Sequence, residues 1–169
     1  MSQQNQQNYI NIDDFFTMNL GDWLGQKTSY NPNSKIHTTS TAKTSITKID
    51  NSEKKPNLLL ENDNNQAFSI SSQKSNKKAD CIVKYIRKCS SNSNGVIYKV
   101  DNKNKDEIIE GKFELLNGVL KILINKDTLT IEETIWFVNN NLKLTKSIAK
   151  KNNQCVLISF ASEIKVIVN

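Results

Sequence analysis

From Asp22 to the C-terminus, apolar and polar residues alternate in short runs broken by polar turns, the period of a half-buried β-strand. The runs are DWLGQKTSYN (ended by Pro32), Ile36–Ile49, Ala67–Gln73, Cys81–Lys88, Val96–Val100, Ile108–Leu115, Val119–Ile124, Leu129–Val138, Leu142–Ala149 and Cys155–Val168. Many are rich in Thr, Val and Ile, which suit a pleated surface. The linkers include SNSNG, Asn117-Gly118, NKD, NNN and KKNN. Asn-Gly between apolar runs is a strong hairpin signal, because both residues tolerate positive φ. Strands of this regularity predict an all-β fold, an up-and-down antiparallel barrel or sandwich. One segment departs from the period. In NIDDFFTMNLGDW, Ile12, Phe15, Phe16 and Leu20 form one apolar helical face. Asn11 is the expected N-cap, Asp13 and Asp14 suit the first turn, and Gly21 is the expected stop.

Residues 1–10 are dominated by Gln and Asn and read as a disordered tail ahead of a single domain over 11–169. Residues 50–65 read as a polar loop around Leu58–Leu60. At 169 residues with 37% hydrophobic content, the chain can bury one real core. Asn, Lys, Ser and Ile abound and Arg87 is the lone arginine, a bias that fits an A/T-rich genome. The net charge of +6 therefore says little by itself. The lysines are scattered among acids, and the most basic run, SQKSNKKADCIVKYIRK, carries one Tyr and no interleaved aromatics. No nucleic-acid partner is expected. No apolar run is long enough to span a membrane, and the N-terminus shows neither a signal nor a transit pattern. Cys81, Cys89 and Cys155 form no C-x-x-C spacing and leave one thiol over from any pairing, as in a reducing compartment. His37, the one histidine, sits among threonines without ligand spacing, so neither a metal site nor a Ser-His-Asp triad is expected.

Strand alternation sorts the polar residues by face. Lys143, Thr145 and Ser147 share one face, opposite Leu142, Leu144, Lys146 and Ile148. Glu133, Ile135 and Phe137 share a face opposite Thr134 and Trp136, and Ser159, Ala161, Glu163 and Lys165 share another. Alternation alone leaves two readings open: a solvent face, or one cavity lined from three consecutive strands.

Residue order adds what alternation lacks. Gly21-x-Trp23 after the helix matches the lipocalin-type signature. WLGQKTSY, EGKFEL followed by LKILI, ETIWFVNNNLKLTKS and SFASEIKV occur in that order and cover most of residues 12–166. Together they resemble the S-type phycobiliprotein lyases, chromophore lyases of the CpcS/CpeS kind. The resemblance implies a lipocalin-like up-and-down antiparallel β-barrel with a short N-terminal helix. It implies non-covalent binding of a linear tetrapyrrole (phycoerythrobilin or phycocyanobilin) as substrate, with no tightly bound cofactor. It further implies transfer to a cysteine of an apo-phycobiliprotein subunit, the β subunit above all, in a plastid stroma or a cyanobacterial-type cytoplasm.

On that resemblance, Glu133 and Glu163 are the expected catalytic carboxylates, facing the pyrrole N–H groups. A carboxylic acid kept protonated by burial can also supply the proton as a thiolate adds to the ethylidene. Lys143 is the expected partner of a propionate. Thr145, Ser147, Phe137, Trp136 and Lys27 complete the expected bilin-binding set, with Phe137 and Ile135 as wall and Trp136 outside or at a rim. Trp23 is expected to close the barrel with Lys165 stacked on it. The chain departs from the family pattern at Lys27, Lys143 and Lys165, which replace arginines, at Thr145, which replaces another, and at Asn140, which replaces a proline. Between Ala67 and Asp80, Phe68 is the one aromatic where tryptophans are expected. These departures keep a second reading in play, a bilin carrier or assembly chaperone without transfer. An outward Leu142/Leu144/Ile148 face would suit a homodimer or a related lyase subunit.

Overall fold

The computed structural model describes residues 10–49, 65–74, 80–88, 93–101 and 104–167. All but the last residue of the expected N-terminal tail, and the Leu58–Leu60 run, lie outside these described residues. The described elements are α1 (Ile12–Met18), β1 (Gly21–Asn31), β2 (Ile36–Ile49), β3 (Asn65–Lys74), β4 (Asp80–Lys88), β5 (Asn94–Asp101), β6 (Asn104–Leu116), β7 (Val119–Lys126), β8 (Leu129–Asn139), β9 (Leu142–Lys151) and β10 (Gln154–Lys165). Each strand runs antiparallel to its neighbours in chain order, and β1 pairs with both β2 and β10, so the sheet closes into a barrel. Closure removes the free edges that an open sheet of this length would expose.

The hairpins form where the sequence permits left-handed backbone. Asn117 and Gly118 have φ of 52° and 73°, the two positive values a two-residue hairpin needs. Asn152 and Asn153 do the same at 50° and 64° without a glycine, because asparagine tolerates this region better than other side chains. Two strands extend past their apolar runs. The β5–β6 pairing reaches Asp101 and Asn104 because ladder bonds are made by backbone and need no apolar side chain.

The helix is short, and its start is as expected: the Asn11 side chain accepts from the Asp14 N–H at 2.9 Å. Its end is not at Gly21. Asn19 caps it: its backbone N–H donates to the Phe16 carbonyl at 3.2 Å, and the next N–H, of Leu20, donates to the Thr17 carbonyl at 3.1 Å. Gly21 instead opens β1 at φ 110°, a conformation costly for any residue with a Cβ.

Seven helical residues are marginal alone in water, so packing must hold α1 in place. Ile12, Phe15 and Phe16 are buried in one cluster with Trp23, Ile46, Phe68, Phe113, Leu115 and Leu120 from the barrel's inner face. Phe15 meets Phe16 and Phe137 edge-on, with ring centroids 6.1 and 5.1 Å apart. The helix therefore plugs the end of the barrel that carries Trp23. Phe15→Ala is expected to cost about 3–5 kcal/mol, because a fully buried ring leaves a cavity among rigid neighbours. Equilibrium urea unfolding measures this, and a loss near zero would mean that the helix is not part of the core.

Candidate functional site

Above the plug, the inner faces of the strands enclose a cavity of about 210 Å³. Its apolar wall is built by Phe16 of the helix and by Ile46, Phe68, Ile70, Ile97, Leu120, Ile122 and Ile135 of the strands. Its polar wall is Asn19, Thr44, Glu133, Lys143, Thr145 and Glu163. The division follows from register. Glu163 of β10 lies opposite Lys143 of β9, and Lys143 lies opposite Phe137 of β8. One step further on the same face, Ala161, Thr145 and Ile135 align, and then Ser159, Ser147 and Glu133.

Lys143 is the most constrained charge in the site. Its ammonium lies 3.1 Å from Glu163 Oε2, and the two side chains are 6% and 18% exposed. It also donates to Asn19 Oδ1 at 3.2 Å and sits 4.5 Å from the centroid of the Trp23 ring. Trp23 is fully buried, and its Nε1–H donates to the Asn19 carbonyl at 2.9 Å. Lys165 shares that ring at 5.0 Å and donates to the Met18 carbonyl at 3.0 Å. Two cations thus converge on the C-terminal end of α1, where carbonyls lack intrahelical partners and the helix dipole favours positive charge. Gly25 makes room for the ion pair: a Cβ there would lie 3.0 Å from Glu163 Cγ.

The expected site residues divide into four groups. Glu133, Glu163, Lys143 and Thr145 line the cavity together. Phe137 is on the same inward face but packs below it, against Phe15 and Trp23. Ser147 and Lys27 follow the inward register beyond the lining residues, Ser147 half-buried and Lys27 exposed. Trp136 faces the other way. It sits beside Leu144 in register and packs on Phe160, which is 47% exposed, so it belongs to the barrel's outer surface. Alternation requires this once Phe137 points inward. The neighbouring Glu132 is likewise outward, ion-paired with Lys150 at 2.6 Å, which leaves Glu133 as the inward acid of that pair. His37 stacks on Tyr30 within the first hairpin, at 4.6 Å between centroids.

Asn19 was missed from sequence. Its position near the helix end was legible, but its bond to Lys143 spans 124 residues and leaves no local pattern. Ile46, Ile70, Ile97 and Ile122 were visible as strand residues; their convergence needs the closed barrel.

A family model, the CpeS-like protein, matches residues 11–166. The chain belongs to that family. Among individual relatives, a chromophore lyase CpcS/CpeS homolog of Gracilaria tenuistipitata is 28% identical over 149 residues, covering 87% of this chain and 92% of that protein. The homolog of Pyropia yezoensis is 62% identical over a segment of 37 residues, 22% of this chain and 25% of the relative, so that match spans a quarter of the relative's length. In structure, the barrel is similar to the S-type phycobiliprotein lyase of Guillardia theta, with a TM-score of 0.73 over 100% of both chains. At 15% identity that likeness is one of fold.

The buried pair lends itself to a double-mutant cycle. Lys143→Met or Glu163→Leu alone strands a charge in a low-dielectric interior, at a cost of about 3–5 kcal/mol each. The double variant is expected to lose much less than the sum, because no buried charge is left unpaired. Additive losses in urea unfolding would mean that the pair is uncoupled.

Proposed function

We propose that the chain binds a bilin non-covalently in this cavity and catalyses its thioether attachment to a cysteine of an apo-phycobiliprotein subunit. The observation that carries the proposal is the segregated cavity: an apolar and aromatic wall faces a buried cation and two carboxylates. A linear tetrapyrrole has the matching chemistry, with flat apolar rings, inner N–H donors and two propionates.

In this reading Lys143 meets a propionate, and Glu133 and Glu163 accept from pyrrole N–H groups in charge-assisted bonds. Thr145 adds a hydroxyl to the wall. The cavity, about 210 Å³, is smaller than the roughly 300–1,000 Å³ of sites that enclose a drug-sized ligand. It therefore holds part of a tetrapyrrole and leaves the rest at the mouth, along the faces of Ser147 and Lys27. An A ring at the mouth is where an acceptor's cysteine can reach it. The thiol then adds across the A-ring ethylidene double bond. Sulfur bonds to the exocyclic carbon, a proton goes to the ring carbon, and nothing leaves. The acceptor supplies the nucleophile, and one of the two carboxyl groups relays the proton. The pigment is phycoerythrobilin or phycocyanobilin, and the relatives in red algae favour a plastid setting. The outward apolar face around Leu144, Trp136 and Phe160 is the surface available to a second copy or a related lyase subunit.

A carrier without transfer is the second reading, favoured by Thr145, which leaves that wall position without a charge. Mixing the protein with each bilin and then with apo-phycobiliprotein separates the readings. A sharpened visible spectrum followed by an acid-stable covalent adduct is expected. Binding without adduct would make the chain a carrier, and no spectral change would remove both readings. Glu133→Gln and Glu163→Gln are expected to fold but lose attachment; full transfer by both variants would rule out the carboxylate relay.

A further inference from the structure

We infer that Asn19 is a positioning residue for carboxylate recognition: its side-chain amide holds the Lys143 ammonium at the cavity wall without neutralising it. The inference rests on the bilin reading and deepens it.

Asn19 has two separable jobs. As the cap of α1 it uses its backbone N–H, which donates to the Phe16 carbonyl at 3.2 Å, and its Nδ2, which donates to the Phe15 carbonyl at 3.1 Å. Neither bond uses Oδ1. The Nδ2 bond does fix which way the amide faces, and so points Oδ1 at Lys143, 3.2 Å away. Asn19 also lines the cavity beside Lys143 and Glu163. Its backbone carbonyl accepts from the Trp23 indole N–H at 2.9 Å. A lysine side chain has four rotatable carbons and gains a defined position only from what grips its ammonium. Glu163 grips it but also draws it towards its own oxygen. A neutral acceptor on a second element adds a second hold without placing a further negative charge beside the ammonium. An aspartate of the same shape would put a further carboxylate beside the ammonium and weaken its attraction for a propionate. It would also place negative charge at the wrong end of the helix dipole.

The role separates from a structural one through the ligand's own charge. Phycocyanobilin and its dimethyl ester share a tetrapyrrole but differ in having free propionates. Both are titrated into wild-type protein, N19D and N19L, with binding read from the visible spectrum and folding from the near-ultraviolet circular dichroism of the buried Trp23. The wild type is expected to prefer the diacid. N19D is expected to bind the diacid about tenfold more weakly, the scale of one charge-assisted hydrogen bond, with ester affinity unchanged. N19L is expected to shift the ratio in the same direction. N19D keeps the side-chain shape and the backbone N–H cap but, like N19L, gives up the Nδ2 bond to the Phe15 carbonyl. The ester affinity reports that loss by itself, so the diacid-to-ester ratio in whichever variant folds still isolates the effect on the ammonium. An unchanged diacid-to-ester ratio in N19D, or equal losses for both ligands, overturns the positioning role and leaves the bilin reading standing. So does a wild type with no preference for the diacid. A wild type that binds neither pigment overturns both.

Discussion

The structure turns on one ammonium group placed inside a β-barrel. Lys143 is 5% exposed, and an isolated charge that deep would cost far more than the fold could sustain. The surrounding elements answer that cost together. β10 supplies the carboxylate of Glu163, α1 supplies the amide of Asn19, and β1 supplies the face of Trp23. Gly25 on β1 leaves the space that Glu163 occupies. None of these partners is near Lys143 in sequence, so the charge acts as a register pin. A slip of one residue in β9 would turn it to solvent and Leu144 inward.

The same ammonium links the plug to the cavity. α1 enters the barrel through its aromatic face, but its C-terminal carbonyls would be buried without partners if packing were all that held it. Lys165, the Trp23 indole and the Asn19 amide satisfy them. The floor of the cavity and the anchoring of the helix are thus one hydrogen-bonded unit. A ligand carboxylate arriving at Lys143 would join a network that reaches from β10 to the end of α1.

Much of the fold was legible because its signals are local. Period-two alternation, Asn-Gly turns and an Asn11 cap each depend on a few neighbouring residues, and their regular succession points to an up-and-down barrel or sandwich, which residue order narrows to a barrel. Alternation likewise sorted the residues of β8, β9 and β10 by face, but it left open whether the polar face met solvent or a cavity, and residue order decided that. Where alternation alone was at work, it also fixed the outward side: Trp136 cannot share the cavity with Glu133 and Phe137 on one regular strand. Non-local facts were harder to read. Helix termination at Asn19, its grip on Lys143 and the isoleucines converging from β2, β3 and β5 arise from closure of the sheet. No short stretch of sequence records them.

The lysine at position 143 also shapes what the site can recognise. An arginine would offer a carboxylate a rigid planar fork, whereas a lysine offers three donors around a point. Here two of those directions point to Glu163 and Asn19. Recognition of a carboxylate by such a cation depends on geometry imposed from outside the side chain, because the ammonium carries no directional preference of its own. Thr145, one step along the same face, adds a hydroxyl but no charge. Among the residues that line the cavity, the polar wall therefore concentrates its positive charge at one gripped point, and a carboxylate bound there would be placed only as precisely as the residues that hold Lys143.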